Sequence, residues 1–321
     1  MTESPERLCE MLLAGDRRAA ARLISMVENA DDDAAEALSI IHQHTGRAHI
    51  IGLTGSPGSG KSTLAGALTA CYRRLGRTVG IIAVDPTSPF TGGALLGDRV
   101  RMQELSGDPG VFIRSMGSRG ALGGLALATN EAIDVLDASG KDIVIVETVG
   151  AGQSEVEIMR YAHTCLVVTM PGTGDEIQAI KAGILEIADV FVVNKSDRDG
   201  CSRTVHDLEA MVETRPGGHA GWKPPVLATM ALDGEGIDEL ITTVDAHWRY
   251  LKSSGSLEQK TLDRMKAQML EVLAREVSAE ASRALKGSAG RDIVERMASR
   301  ELDPRAAARE LLRRLLQDEG A

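Results

Sequence analysis

Aromatic residues are scarce in this chain: three Phe, three Tyr and two Trp among 321 residues. Binding a nucleic-acid single strand by stacking needs several aromatic platforms, so that mode has little to work with. Positive charge is also short. Lys and Arg number 36 against 46 Asp and Glu, a net charge of −10, which opposes wrapping a phosphate backbone. Cysteine is sparse and scattered. Cys9, Cys71, Cys165 and Cys201 form no C-x-x-C pair, which argues against a zinc site or a disulfide framework. Cys71 and Cys165 lie in apolar runs and are expected as buried free thiols, as suits a reducing cytoplasm. The N-terminus is polar and mixed in charge, without the apolar stretch of a signal peptide. No apolar run reaches the ~20 residues that span a bilayer. Neither a nucleic-acid nor a membrane partner is expected.

Glycine is plentiful, and one cluster of it is informative. Gly55-Ser56-Pro57-Gly58-Ser59-Gly60-Lys61-Ser62 fits G-x-x-x-x-G-K-[ST], the phosphate-binding loop. Glycines let backbone N–H groups approach phosphate oxygens. Lys61 brings a point charge to the β and γ phosphates, Ser62 offers a hydroxyl to Mg²⁺, and Thr63 follows at the nucleotide. Ile50 to Thr54 reads as a buried strand before the loop, and Ser62 to Leu75 as a helix after it. That order is the context the motif requires. A Gly-rich surface turn would lack it.

The organisation around this loop is α/β. Residues 4 to about 44 read as helical, with Leu8, Leu12, Leu23 and Val27 at helix-like spacing, and Asp31-Asp32-Asp33 opening a second short helix. From 48 to about 250, apolar strands alternate with helices, with strands expected at 50–54, 79–84, 111–114, 142–147, 165–170, 190–194 and 226–229. After Lys252-Ser253-Ser254-Gly255-Ser256 no strand is expected. Three apolar stripes follow instead, beginning at Leu262, Ile293 and Leu311. The expectation is a P-loop NTPase domain at 48–252, a mostly parallel sheet with helices on both faces. A helical extension at 1–47 and a helical arm at 257–321 flank it, and the apolar arm suggests a homodimer.

Further motifs select the nucleotide. Asn194-Lys195-Ser196-Asp197 ends a strand and fits N-K-x-D. The Asp197 carboxylate can accept from guanine N1–H and the exocyclic amine, whereas adenine N1 would set two acceptors face to face. Thr229-Met230-Ala231-Leu232 sits where a second guanine-contacting loop falls, with Met230 and Ala231 at the base. Glu147-Thr148-Val149-Gly150 ends another strand, with glutamate where D-x-x-G is usual. Its carboxylate would approach Mg²⁺ through water, and the Gly150 amide the γ-phosphate. Gln153 is three residues past Gly150 and receives no water-orienting role. Asp85 ends the strand 79–84 at the ligand crevice of an open sheet, and Asp98 follows in Gly97-Asp98-Arg99. Both are candidates for Mg²⁺ or water placement, against helix capping or solvation. No arginine finger is identifiable. Arg99, Arg101, Arg114 and Arg119 are candidates for which a solvated surface role is the plainer reading.

Longer stretches narrow this to a family. Val84 to Ser88, Thr91 to Met102, Glu147 to Glu155, Pro171 to Gly183 and Trp222 to Val226 together resemble the MeaB/ArgK-type GTPases over nearly the whole chain. The resemblance implies a GTPase that hydrolyses GTP to GDP and phosphate and chaperones an adenosylcobalamin-dependent acyl-CoA mutase. It would gate cofactor loading and protect the mutase, as a homodimer through its C-terminal arm. It also implies that Asp175 and Lys181 couple nucleotide state to the mutase, and that Asp85, Asp98 and Glu147 serve the Mg²⁺ and catalytic region. By residue type alone, Asp175 and Lys181 are a surface pair. Met230 replaces the small polar residue usual in the second guanine loop, and Ser56 and Ser59 fill variable positions.

Three rivals remain at this stage. A metal-insertion GTPase would share the core but carry a Cys/His site. Only His42-Gln43-His44 is suggestive, and residues at i and i+2 do not share a helix face. A transport-linked ATPase would need an ATP preference and a membrane partner. A pure binding module would hold GTP without turnover.

Overall fold

The computed structural model describes residues 3–85, 105, 107–117, 124–148, 160–172, 186–214 and 221–318. Seven parallel strands run β1 His49–Gly55, β2 Val79–Asp85, β3 Val111–Gly117, β4 Ile143–Thr148, β5 Thr164–Thr169, β6 Val190–Asn194 and β7 Val226–Thr229. They form one sheet in the order β3-β2-β4-β1-β5-β6-β7. Each expected strand is present: β1, β2 and β3 are one to three residues longer than expected, β4 and β5 are shifted by one residue, and β6 and β7 have the expected bounds.

The helices are α1 Pro5–Leu13, α2 Arg17–Asn29, α3 Asp32–Ile41, α4 Lys61–Arg74, α5 Gly124–Ala138, α6 Cys201–Glu213, α7 Ile237–Ser254, α8 Ser256–Lys286, α9 Ser288–Ala298 and α10 Pro304–Asp318. None of those described is long and apolar enough to cross a membrane. The chain forms two compact units, Met1–Arg264 and Met265–Ala321.

An all-parallel sheet must be covered on both faces, which explains its uninterrupted apolar strands. Successive strand residues alternate between two cores. Ile50, Ile82, Val144, Val146, Val167 and Phe191 face the side covered by α1–α3, α5 and α6. Ile51, Leu53, Ile81, Ile145, Leu166 and Val192 face α4 and α7.

The N-terminal helices belong to the first core. Leu8, Leu12, Leu23, Ile24 and Ile41 are fully buried in it, at roughly 1.5–3 kcal/mol for each such side chain. The expected first helix divides in two. Gly15 takes φ +84°, and Asp16 caps α2 by accepting from the Arg18 and Ala19 amides. That turn lets α1 fold back along α2 instead of extending it. Asp32 and Asp33 occupy the first turn of α3, as expected, beside the positive helix end. Asp137 on α5 accepts from the backbone amides of Gly46, Arg47 and Ala48, fixing the entry into β1.

The second unit is all helical. Arg296 pairs with Glu310 at 3.1 Å, and Arg314 reaches the same carboxylate at 2.5 Å, tying α9 to α10. Ile293 and Ala307 are buried there. Helix α8 buries none of its residues, and Met265, Met269, Leu270, Val272, Leu273 and Val277 stay exposed.

Candidate nucleotide site

The phosphate loop joins β1 to α4, and its glycines are required for different reasons. Gly55 has φ +132°, and a Cβ there would lie 1.9 Å from the Val168 carbonyl of β5. Gly60 has φ +91°, and a Cβ would lie 2.5 Å from Asn194 Nδ2. Gly58, at φ +75°, faces open space. The loop therefore presses on the sheet and on the N-K-x-D motif while leaving one side open. Lys61 begins α4 and is buried, its Nζ donating to the carbonyls of Gly55 at 2.8 Å and Ser56 at 2.9 Å. These bonds bend the lysine back over the loop. Positive helix end and ammonium together form an anion cradle.

Strand order places the acidic tips beside this cradle. β4 pairs with β1 so that Glu147 sits opposite Leu53, and β2 pairs with β4 with Val84 opposite Thr148. Glu147 is buried, and Ser62 Oγ donates to its Oε1 at 2.5 Å. Thus the two oxygen donors read from the sequence meet at one point. Thr63 lines the same cavity. Asp85 ends β2 opposite Gly117, so its backbone is at the crevice. Its side chain lies outside the described residues, as do Asp98, Gly150, Gln153, Asp175, Lys181, Arg99, Arg101 and Arg119.

The base end is built from β6 and β7. Asn194 is buried and spans three elements. Its Nδ2 donates to the Ser59 carbonyl at 2.8 Å, while its Oδ1 accepts from Ala231 N at 3.1 Å and Thr229 Oγ1 at 3.2 Å. Asparagine suits this place because one amide supplies both a donor and an acceptor. Lys195 takes a left-handed conformation, φ +60°, and its Nζ donates to the Gly58 carbonyl at 2.7 Å. The stem of Lys195 thereby flanks the cavity. Asp197 is exposed at the rim.

One cavity of about 1190 Å³ joins all these parts: Pro57, Gly58, Gly60, Lys61, Ser62, Thr63, Glu147, Asn194, Lys195, Asp197, Met230 and Ala231 line it. Gly55, Ser56 and Ser59 complete the loop beneath. Leu232, the last residue of the expected Thr229–Leu232 loop, also lines it, as do Arg198 and Asp233, which were not assigned to the site from sequence. Leu232 is 84% exposed, an unusual position for leucine. Arg198 directly follows Asp197 and Asp233 directly follows Leu232, which was the available signal for these two.

Arg114 is not solvated. On β3 it pairs with Glu28 and donates to Ser25 Oγ at 3.0 Å, fastening α2 to the sheet. It is committed to packing and is not a finger. His42 and His44 lie in a short 3₁₀ turn. No group of three His, Cys, Asp or Glu placed to hold a metal occurs among the described residues. All four cysteines are free, with Cys71 and Cys165 buried as expected.

A phosphate loop between β1 and α4, an acidic tip on β4 and a guanine-reading motif on β6 define a P-loop GTPase, a guanine-nucleotide-binding hydrolase. A family model described as methylmalonyl Co-A mutase-associated GTPase MeaB matches residues 20–286, and the chain belongs to this family. A Pyrococcus abyssi protein named as a GTPase is 47% identical, with 97% of this chain and 97% of that one aligned. The methylmalonic aciduria type A homolog, mitochondrial, of Caenorhabditis elegans is 34% identical across 82% of this chain and 71% of its own length. Among solved structures, the LAO/AO transport system kinase superposes with a TM-score of 0.71 at 28% identity, covering 98% of this chain and 99% of its own.

Proposed function

We propose that this GTPase serves an adenosylcobalamin-dependent acyl-CoA mutase in the cytoplasm, gating cofactor loading and protecting the enzyme. The match of residues 20–286 to a mutase-associated GTPase family carries the reading. The name of the Caenorhabditis elegans relative, which refers to methylmalonic aciduria, supports it.

In this reading Lys61 exchanges its two carbonyl partners for β and γ phosphate oxygens and stabilises charge that builds in the transition state. Loop amides of residues 55–62 share that load. Asp197 reads the guanine edge, with Asn194 holding the base loop against the phosphate loop. The paired oxygens of Ser62 and Glu147 are hard donors suited to Mg²⁺, with Asp85 and Asp98 as further acids. Bound there, Mg²⁺ would neutralise phosphate charge. Asp175 and Lys181 would relay nucleotide state to the mutase. The exposed apolar stripe of α8 would be covered by a second copy of the chain. Turnover alone would be slow, since the loops that complete such sites are ordered by partners.

Size-exclusion chromatography of the full chain with such a mutase tests the partnership. Coelution that differs between GDP and a non-hydrolysable GTP analogue is expected. No complex in either nucleotide state would contradict the proposal.

A further inference from the structure

A second cavity, of about 490 Å³, lies in the same unit at the opposite end of β1. His49, the first residue of β1, and Ile143, the first of β4, line it, together with Tyr72 from the last turn of α4. The seven residues of β1 separate it from the phosphate loop by roughly 20 Å.

Its charge contrasts with that of the whole molecule. Arg47, Arg77, Arg249 and Lys252 line it against two carboxylates, Asp142 and Asp245, an excess of two positive charges in a chain of net −10. Asp142 is engaged, accepting from Thr78 N at 2.7 Å and Thr78 Oγ1 at 2.9 Å. Arg77 shares it at 3.6 Å. Arg249 Nε donates to the backbone carbonyl of Asp245, the charges of Arg77 and Arg249 act on the Asp245 carboxylate, and Lys252 Nζ sits 4.6 Å over the Trp248 ring. Both carboxylates face arginines of the cavity, yet four cations still outnumber them.

Two buried polar atoms of lining residues have no hydrogen-bond partner: the Tyr72 hydroxyl and His49 Nδ1. Their residues are 2% and 3% exposed. Leaving such a group unpaired costs ~1–3 kcal/mol. The character of His49 Nδ1 follows from its neighbours. Asp189 only accepts, so neutral His247 donates to it from Nε2, across 3.3 Å. His247 Nδ1 then accepts the Thr164 hydroxyl proton at 2.9 Å. Thr164 Oγ1, its proton used, accepts from His49 Nε2 at 2.8 Å. His49 Nδ1 is left with a lone pair that asks for a donor. Tyr72 supplies a hydroxyl that donates or accepts.

From the cavity, its surplus charge and these two atoms, we infer that it is a second binding site, for a small phosphate monoester bearing a hydroxyl group. A phosphate carries ≈ −1.5 to −2 at neutral pH, which matches the cationic excess. The ligand's hydroxyl would donate to His49 Nδ1 and pair with Tyr72. The Trp248 ring gives the site an apolar wall.

Calorimetric titration tests this on the full chain saturated with a non-hydrolysable GTP analogue, so that the phosphate loop is filled. Ribose 5-phosphate and inorganic phosphate serve as probes. Ribose 5-phosphate should bind at least tenfold more tightly than phosphate. Arg47→Ala combined with Arg249→Ala should weaken it at least tenfold while leaving GTP turnover unchanged. Tyr72→Phe should bring ribose 5-phosphate down toward the affinity of phosphate. Equal affinity for the two probes would overturn the ligand class. Failure of both to bind, or binding unaltered in the double variant, would overturn the site itself.

Discussion

The two compact units use apolar residues in opposite ways. In the nucleotide unit, Ile50 and Ile51 turn to opposite faces of the sheet, and each finds a closed core. In the arm unit, α8 presents Met265, Met269, Leu273 and Val277 to solvent and buries nothing. A domain that satisfies its own surface needs no partner to persist. An exposed apolar stripe on a long helix is the usual mark of an interaction surface. The nucleotide site and the exposed apolar stripe of α8 are therefore separable in this chain, and substitutions should sort accordingly.

The largest effect is expected at the phosphate loop. Lys61→Ala should lower GTP turnover by on the order of 10²–10³-fold, the usual loss for one transition-state donor. Thermal unfolding should show the fold retained. Asp197→Asn should follow, weakening GTP binding about 10²-fold by leaving guanine donors poorly matched. Nucleotide titration reads this, with turnover at saturating GTP much less affected.

Stability separates the units directly. Leu68→Ala, at a fully buried position under the sheet, should cost ~2–5 kcal/mol in denaturant unfolding. Met269→Ala, at a site 62% exposed, should stay within about 0.5 kcal/mol for the isolated chain. A comparable loss at Met269 would mean that α8 is already covered under the conditions of measurement.

Acid should act on the nucleotide unit first. Burial holds His163 down at about 3 and His247 at about 4, and His49 well below 6.5. The unfolded chain therefore binds more protons than the folded one below pH 6.5. Stability contributed by these neutral histidines is present above that value and lost as pH falls toward 4. In the arm, Glu310 is lowered by its bonds to Arg314 and Arg296, so its contribution fades only below the ordinary carboxylate value of 4.5. The melting temperature of the nucleotide unit should thus drop between pH 7 and pH 5, with little change in the arm's helical signal.

The sheet was legible because parallel strands covered on both faces leave continuous apolar runs such as Val190–Val193 and Ile143–Val146. The nucleotide loops were legible because glycine, lysine and carboxylate occur at strand ends in a fixed order. Other features depend on contacts distant in sequence. The Thr164 hydroxyl joins His49 and His247 across 115 and 83 residues, which no local pattern reports. Arg114 resembled a solvated arginine until α2 was seen to bring Glu28 and Ser25 onto β3. The break at Gly15-Asp16 was signalled by a helix-stop and a capping residue, yet helix-like apolar spacing on both sides concealed it. Leu232 belongs to the site because the loop after β7 folds over Asn194, a consequence of the Ala231 amide bond.

The account turns on a GTPase whose turnover answers to a mutase. The most direct measurement is GTP hydrolysis by the full chain, with ATP as control, alone and with an adenosylcobalamin-dependent acyl-CoA mutase from the same source. The account predicts slow turnover of GTP in preference to ATP, accelerated by the mutase. GTP turnover indifferent to every such mutase would contradict it.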